Sequence, residues 1–312
     1  MNTNFEKIQE LLKIKAELVA KINLLPYDGS PEIKENKSGK YLYVRKRING
    51  RLTSTYVDKY DQNLYDALVR YYTTSRKLRK ELRHCERELL SLGYTGGELS
   101  LAVSRNLEYA RINMKANIYS QAILEGVATT YPKTETIIEN GIVDKMKVSD
   151  IQKILNLKHA WEFILDENVI LAPSDLSLIS HIAKLVNEDL VSTGGNIRLT
   201  NVIIGGSSYV PPIPDKDEVK KQIKDITSRD KEAIDKAIDL CLYCMKTQIF
   251  DDGNKRASVI FANHYLISQG KGFLVIPERH VEKFKELLIL YYEDKDTTTI
   301  KDFLKKNCWM PL

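Results

Sequence analysis

Gln248-Ile249-Phe250-Asp251-Asp252-Gly253-Asn254-Lys255-Arg256-Ala257-Ser258 joins two apolar helical stretches through a short polar turn. Phe250 closes the first helix. Asp252-Gly253-Asn254 makes the turn, and Lys255-Arg256 opens the second helix. An acidic residue, a Gly-Asn turn and two cations at a helix start suit a phosphate chain. Backbone N–H groups and the positive end of the helix dipole point at such an anion. Asp252 suits a Mg²⁺ that bridges phosphates. No His, Cys or Ser stands where the turn begins, so the shell lacks a base beside it.

The stretch resembles the signature of the Fic (Fido) family, His-x-Phe-x-Asp/Glu-Gly-Asn-Gly/Lys-Arg-x-x-Arg. Phe250, Asp252, Gly253, Asn254, Lys255 and Arg256 match; Gln248 replaces the catalytic His and Val259 the second Arg. The alternative is an ordinary helix–turn–helix joint with a solvated turn. Two upstream segments extend the resemblance in the family's order. Gly195 to Arg198, Val202-Ile203-Ile204-Gly205-Gly206 and Tyr209 to Pro214 read as a β-branched hairpin with a Pro-rich stop. They resemble the Fic flap, which holds a target segment by strand addition; Ile203, Ile204, Gly205 and Gly206 are its expected target-binding residues. Gln121 to Gly126 resembles the inhibitory helix of self-restrained Fic proteins. Gln121 stands for its Ser/Thr and Glu125 is the expected regulatory residue.

The resemblance implies a mainly α fold: a Fic-type helical bundle with a short β-hairpin flap over residues 97–312. It implies ATP or another nucleotide with Mg²⁺ as cofactor and transfer of AMP to a hydroxyl of a target protein. Asp252 would hold the metal. Gly253 and Asn254 would seat the α-phosphate through backbone N–H and the amide side chain, and Arg256 would neutralise the distal phosphates. Phe250 would anchor the turn. Lys255 also matches the Doc toxins, which transfer a terminal phosphate. Gln248 changes this chemistry, because an amide cannot take a proton near neutral pH whereas imidazole can. Positioned general bases contribute a factor of about 10²–10⁴. Three readings follow: an adenylyltransferase with altered chemistry, a Fic-fold pseudoenzyme that binds nucleotide or a partner, or a Doc-like phosphotransferase. No other His substitutes clearly. His264 reads as a helix-face residue, His159 and His181 as core or edge residues, and His84 and His280 as solvated. With Val259 in place of the second Arg, Glu125 must meet Arg256 or Lys255, or face solvent.

Residues 1–96 form a separate region. Ile8, Leu11, Leu12, Leu18, Val19 and Ile22 mark a helix over 5–24, and Leu78, Leu82, Cys85 and Leu89 mark another over 62–92. Between them Tyr41, Tyr43, Arg45 and Arg47 alternate with Leu42, Val44, Lys46 and Ile48, and Asn49-Gly50 predicts a hairpin turn. The pattern is an antiparallel helical pair carrying a β-hairpin at its tip. Aromatics and arginines on one strand face suit a protein or nucleic-acid partner. The other reading is an amphipathic hairpin covering its neighbours, and a mild net charge of +5 favours it.

Hydrophobic content of 43% and charged content of 29% are ordinary for a globular chain. The absence of a long apolar run or of a signal-like start predicts no membrane span and a cytoplasmic location. Four scattered cysteines exclude a disulfide framework; Cys241 and Cys244 sit in an apolar helix and read as small core residues. Helices are expected over 100–124, 134–141, 148–154, 156–165, 174–189, 216–225, 229–248, 254–269, 278–291 and 298–306.

Overall fold

The computed structural model describes residues 4–23, 25–27, 29–48, 51–94, 99–140 and 146–312. The chain forms two compact units, Asn4–Tyr94 and Thr95–Leu312. The expected Asn49-Gly50 turn and the expected boundary between residues 96 and 97 lie outside the described residues.

In the first unit α1 (Asn4–Asn23) pairs with the 30-residue α2 (Gln62–Ser91). Ile8, Leu11, Leu18 and Ile22 of α1 are buried, as are Cys85 and Leu89 of α2, and the Cys85 thiol donates to Leu11 O at 3.2 Å. Asp61 caps α2 by accepting from Leu64 N at 2.9 Å. The expected hairpin is a three-stranded antiparallel meander: β1 (Ser30–Asn36), β2 (Gly39–Ile48) and β3 (Arg51–Lys59), in that order. Ser-Pro-Glu-Ile-Lys-Glu-Asn of β1 lacks the apolar alternation that marks a strand. Its backbone ladder to β2 defines it, and Pro31 is tolerated on this edge. Leu42 and Val44 pack with Leu68 over Val57, Leu64 and Tyr65.

The second unit is a helical bundle around α11. Its helices are α3 (Leu101–Ile112), α4 (Met114–Leu124), α5 (Tyr131–Asn140), α6 (Val148–Ile164), α7 (Glu167–Ile170), α8 (Leu176–Val186), α9 (Lys216–Ser228), α10 (Ala233–Thr247), α11 (Asn254–Ser268), α12 (Val281–Tyr292) and α13 (Thr299–Asn307). A 3₁₀ turn, Glu278–His280, precedes α12, and β4 (Phe273–Leu274) pairs with β5 (Trp309–Met310). Thirteen of the fifteen residues of α11 are buried, among α8, α10, α6, α3 and β4. A helix enclosed on all sides is the centre of its domain. Its polar residues are accordingly paired. Asn263 donates to Val259 O and Leu274 O and accepts from Leu274 N. Asn106 of α3 exchanges two hydrogen bonds with Gly272, at φ +81°, where a Cβ would lie 1.9 Å from Met310 O.

Several boundaries differ from expectation. The helix expected over 100–124 breaks at Asn113, whose amide donates to Tyr109 O at 2.8 Å. The two expected over 148–165 are one, because buried Asn156 points its amide outward to Glu188 O at 2.7 Å. Residues 195–214 contain no strand: the expected β-hairpin flap is an extended loop with a turn closed by Ser207 N donating to Ile204 O at 3.2 Å. β-branched residues favour strands, but no partner strand lies beside these. All four cysteines are free and buried, and burial pushes the Cys241 thiol up to about 12. No described helix is long and apolar enough to cross a membrane.

Candidate functional site

The loop between α10 and α11 is shaped by two left-handed residues. Gln248 (φ 48°, ψ 61°) ends α10 and Gly253 (φ 76°, ψ 9°) precedes α11. Such a conformation costs a non-glycine residue about 1–3 kcal/mol, and hydrogen bonds offset it here. The Gln248 amide donates to Met245 O at 2.6 Å and accepts from the Asn254 amide at 3.1 Å. Asn254 also donates to Phe250 O at 2.7 Å and accepts from Phe250 N at 2.9 Å. At Gly253 a Cβ would meet the Asn187 amide at 2.8 Å, and that amide donates to Asp252 O at 2.9 Å. Phe250 is buried beneath the turn.

Two arginines complete the frame. Arg256 is 1% exposed. It donates to Val186 O at 2.5 Å and Asn187 Oδ1 at 3.3 Å, and pairs with Asp252 at 3.2 Å. Its guanidinium therefore points into the protein and braces α8, away from the cavity where distal phosphates are expected. The Asn254 side chain is likewise spent inside the turn, so only backbone N–H groups remain there for an anion. Arg198 is also 1% exposed and donates to five carbonyls: Gln248, Thr247, Thr200, Pro211 and Pro212. It clasps both ends of the 199–214 loop to the Gln248 turn. Burial lowers its pKa, and Asp251 opposes that shift.

A cavity of about 520 Å³ lies between the turn, the 202–205 segment and α12. Gln248, Asp252, Gly253, Asn254 and Lys255 line it, as do Ile203, Ile204 and Gly205. Gly206 and Arg256 do not; Gly206 is a turn residue at φ +80° beside Ile289. Lys285, Leu288 and Tyr292 of α12 form the opposite wall. Glu125 forms another side, half-hidden at the end of α4, with Oε1 3.8 Å from Lys255 Nζ and Oε2 3.5 Å from Arg256 Nε. Buried Glu125 Oε1 and Arg256 Nε make no hydrogen bond in the protein. Gly253 gives α11 no side-chain cap, so the helix's first N–H groups face this region unpaired by a cap.

A Fic/DOC family profile matches residues 173–266. The chain carries a Fic domain. Solved structures agree on the fold. One is Fic-1 (residues 134–508) from C. elegans, 17% identical with a TM-score of 0.52, covering 78% of this chain and 74% of that one. A Fic domain containing signaling protein from Bacteroides thetaiotaomicron VPI-5482 is 18% identical with a TM-score of 0.52, covering 65% and 82%. A Fic family protein from Desulfovibrio desulfuricans G20 is 16% identical with a TM-score of 0.53, covering 66% and 65%. A profile described as a domain of unknown function (DUF6788) matches residues 5–66. No curated protein matches.

No described histidine lines the cavity. His264 is wholly buried, with Nε2 2.8 Å from Val169 O and Nδ1 2.9 Å from Ser174 Oγ; burial pushes its pKa down to about 4. It is a core residue and not the helix-face residue expected. His159 is half-exposed and pairs with Glu188 at 3.2 Å. Gln121 is buried and fully used, donating to Arg256 O at 2.8 Å and accepting from Trp161 Nε1 at 3.0 Å. Glu125 meets Lys255 and Arg256, while Val259 lies in the core. Arg198, Asn187 and Lys285 are site residues that sequence reading does not find. Each is one polar residue among others on its segment, with no spacing to mark it.

Proposed function

We propose that the cavity binds the polyphosphate of a nucleotide, and that Gln248 leaves the domain without the proton acceptor its relatives' motif supplies. The carrying observation is the Gln248 amide, held by Met245 O and Asn254 at the cavity wall. It occupies the place of a base while having none of a base's chemistry. The first N–H groups of α11 and Lys255 suit phosphate oxygens. Asp252 is about 59% exposed and only partly engaged by Arg256, so it fits a metal. No group of three potential ligands gathers among the described residues. A Mg²⁺ would therefore share Asp252 with the nucleotide's own oxygens and water, as Mg²⁺ commonly does. Bound there, it would offset phosphate charge.

Glu125 regulates this site in the same reading. Its carboxylate sits on Lys255, the cavity-lining cation that a phosphate would use, so nucleotide must displace it. Transfer of AMP to a protein hydroxyl then needs two changes: relief of Glu125 and a base at position 248. The experiment incubates wild type, Gln248→His and Gln248→His/Glu125→Gly with labelled ATP and Mg²⁺, and measures heat stability with the same ligand. Nucleotide raises the melting temperature of the wild type, and protein labelling rises sharply only in Gln248→His/Glu125→Gly, the variant that makes both changes. Labelling by the wild type that Gln248→Ala leaves intact, or no thermal shift in any variant, ends the proposal.

A further inference from the structure

The sheet of the unit Asn4–Tyr94 has one covered face and one open face. Leu42 and Val44 lie on the covered face against Leu68. The alternate residues of β2, Tyr41, Tyr43, Arg45 and Arg47, stand on the other. Register adds Tyr56 and Ser54 of β3 opposite Tyr43 and Arg45, and Lys34 of β1 opposite Tyr41. The three tyrosine rings form one cluster. Tyr56 lies 6.3 Å from Tyr41 and 5.6 Å from Tyr43, edge-on to the latter. Lys34 Nζ sits 4.4 Å from the Tyr43 ring centre. Tyr56 is 51% exposed, and Arg45 and Arg47 are exposed. The acid on this face, Glu32, accepts from Ser54 Oγ at 2.6 Å and lies 3.6 Å from Lys34, so its charge is answered locally.

The mild net charge of the chain hides an uneven division. Residues 4–94 carry 19 Lys and Arg against 12 Asp and Glu, a net +7, while residues 95–312 carry 28 against 30, a net −2. Rings that serve only to cover their neighbours would be buried by them; Tyr56 is half in solvent, and Arg45 and Arg47 are exposed beside the cluster. Aromatic faces in the middle with cations at the rim match the two parts of a polynucleotide, bases and phosphates. Stacking on the rings requires unpaired bases, which a duplex does not offer from its grooves.

We infer that the Tyr41–Tyr43–Tyr56 face, with Lys34, Arg45 and Arg47, binds single-stranded nucleic acid by stacking bases on tyrosine and pairing phosphates with the cations. It rests on none of the residues of the Fic cavity. The test uses the full chain and fluorescence anisotropy of a fluorescein-labelled oligo(dT) strand of about 20 nucleotides, long enough for one site, at roughly 50 and 200 mM salt. The wild type binds, more weakly at the higher salt. Tyr56→Ala weakens binding by roughly 5- to 100-fold, the range of one lost stacked base, while Tyr56→Phe keeps the wild-type affinity. Arg45→Ala/Arg47→Ala flattens the salt dependence, by about 0.7 in slope per lost phosphate contact. These two arginines are surface residues, so the pair decides the matter even if Tyr56→Ala loses its circular dichroism. No binding by the wild type, tighter binding of the same sequence as a duplex, or affinity unchanged in Arg45→Ala/Arg47→Ala overturns the inference. Affinity unchanged in a folded Tyr56→Ala, which would mean charge alone or a protein partner, overturns it equally.

Discussion

The Gln248–Arg256 turn and the 199–214 loop face each other across one cavity, yet they are held in opposite ways. The turn is knitted from within. Asn254, Gln248 and Asn187 make its bonds, and Phe250 lies beneath it. The loop has no strand ladder and leaves Leu199 83% and Ile203 87% exposed. It is fastened at its ends by Arg198 and near its middle by Glu293, which accepts from Ser208 N at 2.7 Å and from the hydroxyls of Ser207 and Ser208. A phosphate site needs fixed donors, so a rigid turn suits it. A surface that holds extended peptide needs open backbone groups, which the loop retains. The contrast teaches that one cavity can be walled on one side by a turn bonded within itself and on the other by an exposed loop pinned at a few points.

The comparison breaks most severely at Arg198, because it belongs to both regions. Arg198→Ala strands several buried carbonyls at once. The expected loss is about 3–5 kcal/mol in chemical denaturation. A loss under about 1 kcal/mol would show that water satisfies those carbonyls and that the clasp is incidental.

Acid separates the two regions next. His264 lies in α11, ten residues on from Asn254 and against Val169 and Ser174, and its folded pKa falls from 6.5 to about 4 through burial. The unfolded chain therefore takes the proton first. Stability is complete above about pH 6.5 and declines as pH falls towards about 4, by about 3 kcal/mol. Glu293 holds the loop, and hydrogen bonds, first from Lys295 and then from Ser208, lower its pKa from 4.5 to about 2. Its contribution is present above about pH 4.5 and fades only as pH falls towards about 2. Denaturation curves at about pH 7, 5 and 3, with His264→Gln as control, should show the earlier loss vanish in the variant. An unchanged early loss removes His264 from the account.

Gly253→Ala probes the turn alone. The new Cβ meets the Asn187 amide, and φ +76° strains any L side chain. The expected cost is about 1–3 kcal/mol in stability, together with a smaller nucleotide-induced thermal shift. Ile203→Ala probes the loop alone and should change stability by less than about 0.5 kcal/mol. A large effect there would mean that the exposed loop is a packed element.

Legibility follows the range of each interaction. The Gly253 turn, the start of α11 at Asn254 and the apolar stripes of α1 and α2 are readable in the sequence, because they depend on neighbours along the chain. β1 is not, since Ser30–Asn36 becomes a strand only through its ladder to β2. Arg256 reads as a phosphate ligand because it shares a motif with Asp252 and Gly253. It turns inward because Val186 O and Asn187 Oδ1, far upstream on α8 and just beyond it, are the acceptors it meets.

The amino-acid order alone therefore determined which segment turns, which helices it joins and that an amide stands at position 248. Tertiary structure decided which side chains face the cavity: Glu125 on Lys255 and Arg256, Lys285 on the far wall, Arg256 and His264 withdrawn from it. The reason is geometric. Local rules set backbone dihedrals residue by residue. Whether a guanidinium meets a carbonyl or an open cavity depends on segments far apart in sequence, and only the packed bundle brings those together.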